Sequence, residues 1–188
     1  MSKPVVMLCE DVAQQNFVRR LVHRRGYINR DVYAVALPIG RGAGDKHVLL
    51  HYPKEVGSVR AESGYRRRCL VATIDADRYT VDQRHSQLDE ALTSCQDLRE
   101  DHRQPRGPQE PIAVFVPKWH IETWIDYLLD GGPVSEDAPS PRHRRAEPRE
   151  CQDAADRLLR LAGEHPVPAD CPASLQRGLG ELSRVPPK

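Results

Sequence analysis

The sequence predicts an α/β fold: a four-stranded, mostly parallel sheet with helices on both faces, followed by C-terminal helices. Three observations predict it. Four short apolar runs, each long enough for one buried strand, recur along the chain. Stretches of helical period separate them. Acidic residues follow the first and third runs, Glu10 at one and Asp75-Ala76-Asp77 at the other, at the strand ends where parallel sheets build sites.

Pro4–Cys9 reads as the first strand and ends at Glu10-Asp11. Asp11 is placed to cap a helix over Val12–Arg25, in which Val12, Phe17, Val18, Leu21 and Val22 recur at helical spacing and Gly26 is the stop. Asp31–Leu37 reads as the second strand. The loop that follows carries Gly40, Gly42 and Gly44 at alternate positions. It fits half of a phosphate cradle or plain turn geometry, and neither a dinucleotide fingerprint nor a P-loop is present.

Asp45–Gly64 reads as a helix that Pro53 kinks or splits. Cys69–Asp77 supplies the third strand and its two acids. Thr80–Leu98 reads as the next helix, with Arg84 in its first turn facing back toward the acidic turn. Glu100–Pro111 is a polar linker, Ile112–Val116 the fourth strand, and Ile121–Leu129 a helix after Pro117-Lys118-Trp119-His120. Gly131–Pro148 is rich in proline and charge, which predicts a flexible loop. Helices are expected over Glu150–Glu164 and Pro172–Arg184. The domain reading is an α/β domain over 1–130, a loop over 131–148 and a helical extension over 149–188 packed on the same domain.

The 188 residues hold 28 Lys plus Arg against 27 Asp plus Glu, so net charge selects no partner. Arginine clusters at 24–25, 66–68 and 142–145 suit phosphate contacts or simply a solvated surface. Five scattered cysteines show no zinc spacing. Their odd number and the lack of a signal peptide point to the cytoplasm. No apolar run approaches the roughly 18–20 residues of a membrane span.

Two carboxylates two residues apart on extended backbone point to the same side. That suits a hard cation such as Mg²⁺. Glu10, Asp75-Ala76-Asp77, and Lys118 with Glu122 after the fourth strand together resemble a Toprim domain. Topoisomerases, primases and nucleases of the overcoming-lysogenization-defect type share that Toprim/Rossmann-like fold. The resemblance covers roughly residues 4–130. The chain departs from the family in carrying Asp11-Val12 directly after the first acid, where many members have glycine. Pro117–Trp124 is similar to the segment after the last core strand in small stand-alone Toprim-like proteins, some of which resemble phage-defence nucleases.

The resemblance implies a nuclease dependent on Mg²⁺ or Mn²⁺. Glu10, Asp75 and Asp77 would hold metal, and Glu10, Lys118 and Glu122 would serve catalysis. Arg41, Arg78 and Arg84 would meet DNA or RNA. It further implies a partner protein such as an ATPase of a defence system, and no membrane. For Glu122, a helix N-terminal carboxylate favoured by the dipole is an equal reading. His120 fits a proton shuttle or a helix cap. Trp124 fits a base-stacking residue or, by its spacing with Ile121, Ile125 and Leu128, a core residue. Two other functions stay open: a catalytically inactive Toprim-like binding subunit, and a phosphoacceptor receiver-like signalling module.

Overall fold

A computed structural model of the chain describes residues 4–39, 43–63, 68–139, 145–164 and 166–188. Its sheet contains β1 (Val5–Leu8), β2 (Val32–Ala34), β3 (Cys69–Thr73) and β4 (Ile112–Phe115). All four are parallel, in the order β2-β1-β3-β4. Around the sheet lie α1 (Val12–Arg24), α2 (Gly44–Glu62), α3 (Val81–Ser94), α4 (Ile121–Asp130), α5 (Pro148–Leu161) and α6 (Ala173–Glu181). None of these helices is long and apolar enough to cross a membrane.

The strands are apolar throughout because both faces are covered. Val5, Met7, Cys69, Val71, Ala113 and Phe115 point into one layer with residues of α1, α4, α5 and α6. Their alternates Val6, Leu8, Leu70, Ala72, Ile112 and Val114 point into the other, against α2 and α3. Each large side chain fully buried in these layers contributes about 1.5–3 kcal/mol relative to exposure.

Several elements differ from the sequence expectation, each for a local reason. The second strand is three residues, not Asp31–Leu37. Asp31 closes a 3-10 turn instead, accepting from the Ile28 N–H at 2.9 Å and from Lys188 Nζ at 2.7 Å. β2 ends at Ala34, and the Val35 N–H makes the last bond of its ladder, to the Met7 carbonyl at 2.9 Å. α2 runs unsplit through Pro53. A proline there costs roughly 3 kcal/mol, and burial of Val48, Tyr52, Pro53, Val56 and Val59 offsets it.

α1 starts as expected, but Val12 is exposed while Ala13 and Gln14 are buried. α3 is closed at its start by reciprocal bonds between Thr80 and Gln83, and it ends at Ser94 rather than Leu98. Leu98 lies instead against the backbone of Gly57, where a Cβ would sit 2.5 Å from its methyl carbon.

α5 begins at Pro148, beside the expected start, and packs along α1. Asp156 receives bidentate hydrogen bonds from both Arg20 and Arg24 at 2.8–2.9 Å. These guanidinium groups hold its carboxyl well below the usual carboxylate range. α6 is followed by a 3-10 turn over Leu182–Arg184. Gly178 of α6 lies against the Trp124 ring, where a Cβ would be 2.4 Å from the indole. Trp124 is fully buried, which resolves its two readings toward core.

The segment after α4 is anchored at Glu136. Its carbonyl accepts from Trp119 Nε1 at 2.9 Å, and its carboxylate accepts from the Ser174 N–H at 3.1 Å. The Ser174 hydroxyl in turn accepts from Trp124 Nε1 at 2.7 Å and from the Lys118 N–H at 3.2 Å. The open side of β4 is closed by charge. Glu181 accepts the Val114 N–H at 2.9 Å and pairs with Arg106, which donates to the Ile112 carbonyl at 2.6 Å.

Candidate functional site

Strand order fixes where a site forms. β1 feeds α1 and then β2 on one side, whereas β3 feeds α3 and then β4 on the other. The connections diverge beyond the carboxyl ends of β1 and β3, the switch point at which such sheets place their sites. Glu10 lies just past β1 and Asp75 just past β3. The Asp75 N–H donates to Glu10 Oε1 at 2.9 Å, which joins the two exits.

Asp11 caps α1 by accepting the Gln14 N–H at 3.0 Å. Its φ is −149°, so the turn after Glu10 is extended and needs no glycine. Gln14 is fully buried; it accepts the Glu10 N–H through Oε1 at 2.9 Å and donates from Nε2 to Asp75 Oδ1 at 2.8 Å. Gly44, the first residue of α2, lets the backbone approach Glu10. A Cβ there would lie 2.8 Å from Glu10 Cβ and 3.0 Å from Oε2.

Beyond β3 the ladder continues against the exit of β4. Ile74 N–H donates to Phe115 O at 3.1 Å and Ala76 N–H to Pro117 O at 2.9 Å. The two segments then turn together. Asp77 and Trp119 take φ of +49° and +65°, and Asp77 N–H donates to Trp119 O at 3.1 Å. Aspartate tolerates this left-handed region, but an aromatic residue there is strained. The tryptophan is pinned by Glu136 and by Lys118, whose Nζ sits 4.0 Å from the ring centroid.

Arg84 is 1% exposed. Its Nε donates to the Asp75 carbonyl at 2.8 Å, and its Nη2 lies 3.2 Å from Asp45 and 3.4 Å from Asp77. Its guanidinium also stacks on Tyr79 at 4.5 Å. His120 Nδ1 faces Asp77 Oδ1 at 3.3 Å and Asp75 Oδ2 at 3.8 Å.

Glu10, Asp75 and Asp77 therefore meet at one rim. Burial pushes the Glu10 carboxyl above its ordinary range and the Asp75 charge adds to that, partly offset by the Asp75 N–H. Burial likewise raises the Asp75 carboxyl, against the opposing pull of the His120 imidazole 3.8 Å away. The same contact raises the His120 imidazole.

The remaining expected residues are placed differently. Lys118 Nζ donates to the main-chain carbonyls of Asp77 (2.7 Å) and Tyr79 (2.8 Å), bracing the turn that carries the acids. Glu122 accepts the Ala146 N–H at 3.2 Å, ahead of α5. Arg84 is directed inward, whereas Arg78 is exposed beside Tyr79. Arg41, with Gly40 and Gly42, lies outside the described residues, as do Arg66, Arg67 and 142–144.

Gln14 and Asp45 join the site without having been singled out for it. Gln14 had a signal: with Phe17, Val18, Leu21 and Val22 it completes an i, i+3, i+4, i+7, i+8 stripe, so a polar side chain sits on the buried face. Asp45 opens the helix read over Asp45–Gly64, and its link to Arg84 depends on how α2 and α3 pack.

Among the described residues, no three or more His, Cys, Asp or Glu side chains stand close enough together to hold an ion as they are arranged. The donor chemistry nevertheless suits a hard divalent cation: three carboxylates, all oxygen. Each has one oxygen held by the protein, Glu10 Oε1 by Asp75 N–H, Asp75 Oδ1 by Gln14 and Asp77 Oδ2 by Arg84. The second oxygens of Asp75 and Asp77 meet only the longer His120 contacts.

Comparison of the chain with protein-family models, curated proteins and solved structures gave no match.

Proposed function

We propose that this chain is a metal-dependent nuclease of Toprim type, cutting phosphodiester bonds of DNA or RNA. The observation that carries the reading is the bond from the Asp75 N–H to Glu10 Oε1. It draws the acid after the first strand and the D-x-D after the third to one rim. Glu10, Asp75 and Asp77 would hold Mg²⁺ or Mn²⁺, which when bound neutralises charge on the phosphoryl oxygens and acidifies a water. Gln14 and Arg84 orient these acids from behind. His120, about half exposed with Nδ1 3.3 Å from Asp77 and 3.8 Å from Asp75, is positioned to hold or hand over a proton at Nδ1. Arg78 and Arg41 would meet the phosphate backbone. A partner ATPase, a role in phage defence and a cytoplasmic location complete the proposal. The free state of all five cysteines suits a reducing compartment.

A second reading, a binding subunit without catalysis, draws support from Arg84 and His120, which already place positive groups against the acids. Cleavage of plasmid DNA and of RNA in Mn²⁺ or Mg²⁺, compared between the native protein and Asp75→Ala, separates the two. Metal-dependent cutting lost in Asp75→Ala is the expected result. Nucleic-acid binding with no cutting in either metal would favour the subunit. A receiver-like module would instead take label from acetyl phosphate.

A further inference from the structure

We infer that Tyr79 and Trp119 form a stacking platform for unpaired bases beside the acidic rim, so that the substrate is a single-stranded segment of DNA or RNA rather than a duplex. The inference rests on the nuclease reading above and adds to it the form of the nucleic acid.

Among the described residues, Tyr33, Tyr79 and Trp119 are the only Phe, Tyr or Trp side chains that are not buried. Tyr33 lies on β2, at the edge of the sheet. The other two flank the acids. Tyr79 stands two residues after Asp77, and Trp119 precedes His120 and bridges to Asp77 through the main chain. Trp124, the second indole, is committed to the core.

Both residues are held in place. The Tyr79 N–H donates to the Ala76 carbonyl at 2.8 Å, its carbonyl accepts from Lys118 Nζ at 2.8 Å, and the Arg84 guanidinium lies 4.5 Å from its ring centroid. Trp119 Nε1 donates to the Glu136 carbonyl, and the same Lys118 Nζ lies 4.0 Å from its ring centroid. Lys118 therefore ties both aromatic residues to one turn. Trp119 keeps a left-handed backbone there, at φ +65°, although its ring is partly exposed and fills no core position. Rings already fixed meet a base with little side-chain freedom left to lose.

Unpaired bases are what such rings can reach. In a duplex each base is stacked on its neighbours and shows the grooves only its edge, whereas a single strand leaves its face open to an aromatic side chain. The phosphates that accompany a stacked base call for a cation nearby. Arg78 supplies it: its side chain is exposed, its guanidinium lies 5.4 Å from the Tyr79 ring centroid, and its Nη2 is 3.5 Å from the phenol oxygen.

The test is equilibrium binding by fluorescence anisotropy, at low salt and with a chelator present. The probes are a short oligothymidylate, its oligouridylate counterpart, a duplex of the same length, and an abasic strand with the same number of phosphates. The abasic strand keeps the charge and removes the bases, so its ratio to the intact strand isolates stacking. The native protein is expected to bind a single strand about a hundredfold more tightly than the abasic strand, the scale of two stacked bases. Either sugar in that role supports the platform, and the tighter of the two strands names the substrate. Tyr79→Leu, and Trp119→Asn with a residue that tolerates the left-handed backbone, should each narrow the ratio about tenfold, whereas Tyr79→Phe should keep it. A merely structural role would lower the melting temperature and leave the ratio intact, and that result would overturn the platform. Native protein that binds the duplex or the abasic strand as tightly, or no strand at all, would overturn it without any variant. Base-dependent binding with no cleavage in Mn²⁺ or Mg²⁺ would sustain the platform and remove the nuclease reading. Cleavage indifferent to base pairing and to both ring deletions would keep the nuclease reading and overturn the platform.

Discussion

Lys118 and Asp77 are joined through the main chain: the Lys118 ammonium donates to the Asp77 carbonyl at 2.7 Å and to the Tyr79 carbonyl two residues on at 2.8 Å. The lysine therefore braces the acidic turn. Lys118→Met keeps the stem and removes both bonds, and should destabilise the protein by about 1–2 kcal/mol in urea unfolding, given its partial exposure. Mn²⁺ affinity should fall several-fold as the turn relaxes. Unchanged stability with abolished cleavage would place the ammonium on substrate instead.

The raised carboxyls of Glu10 and Asp75 set a pH dependence with a definite sign. Their folded forms hold protons more tightly than the unfolded chain does, so they stabilise most below the ordinary carboxylate range near 4. That stability is lost as pH rises through the folded values. The raised His120 imidazole loses its contribution in the same direction. With a chelator present, the melting temperature should fall between about pH 5 and about pH 8. Glu10→Gln or Asp75→Asn should flatten the slope and raise the melting temperature at the alkaline end, while abolishing metal-dependent cleavage. Mn²⁺ should restore the native protein there and leave these variants unaffected.

Gly44→Ala separates site geometry from stability. The added methyl would sit 2.8 Å from Glu10 Cβ and displace that side chain. Mn²⁺ affinity should drop about tenfold. Unfolding free energy should change by no more than about 1 kcal/mol, because alanine favours the helix that the clash strains. Equal losses in both would mean that the contact serves packing alone.

Glu181→Gln tests the closed edge of the sheet. The change leaves the Arg106 guanidinium, 13% exposed, without its counter-charge, at a cost of roughly 3 kcal/mol. It also weakens the acceptor of the Val114 N–H. Lower stability in urea, together with concentration-dependent association on gel filtration, is expected. Loss of stability without association would assign the pair to packing rather than to edge protection.

The sheet and its acids were legible because burial on both faces writes continuous apolar runs, and because Glu10 and the Asp75–Asp77 pair stand immediately after two of them. The direction of Lys118 was not. It depends on the turn after β3 lying beside the exit of β4, with Asp77 and Tyr79 about 40 positions away in sequence. Glu122 lies in the first turn of α4, the helix N-terminal position expected, yet its partner is an N–H ahead of α5, and that follows only from how α5 docks. The brevity of β2 was not legible either: Asp31 is drawn into the preceding 3-10 turn by Ile28 and by Lys188, which lies 157 positions away. Gln14 left a trace, a polar residue on an apolar stripe, but its partner Asp75 lies 61 positions away.

Glu136 and Ser174 give the rim a history. A nascent chain that has emerged only through residue 130 already owns four strands and the three rim acids. It still lacks the carbonyl that tethers the Trp119 indole and the hydroxyl that receives the Lys118 N–H. The rim is thus finished late in biosynthesis, after the helices that look dispensable have arrived. Until then its strained corner leans on Lys118 and Asp77 alone.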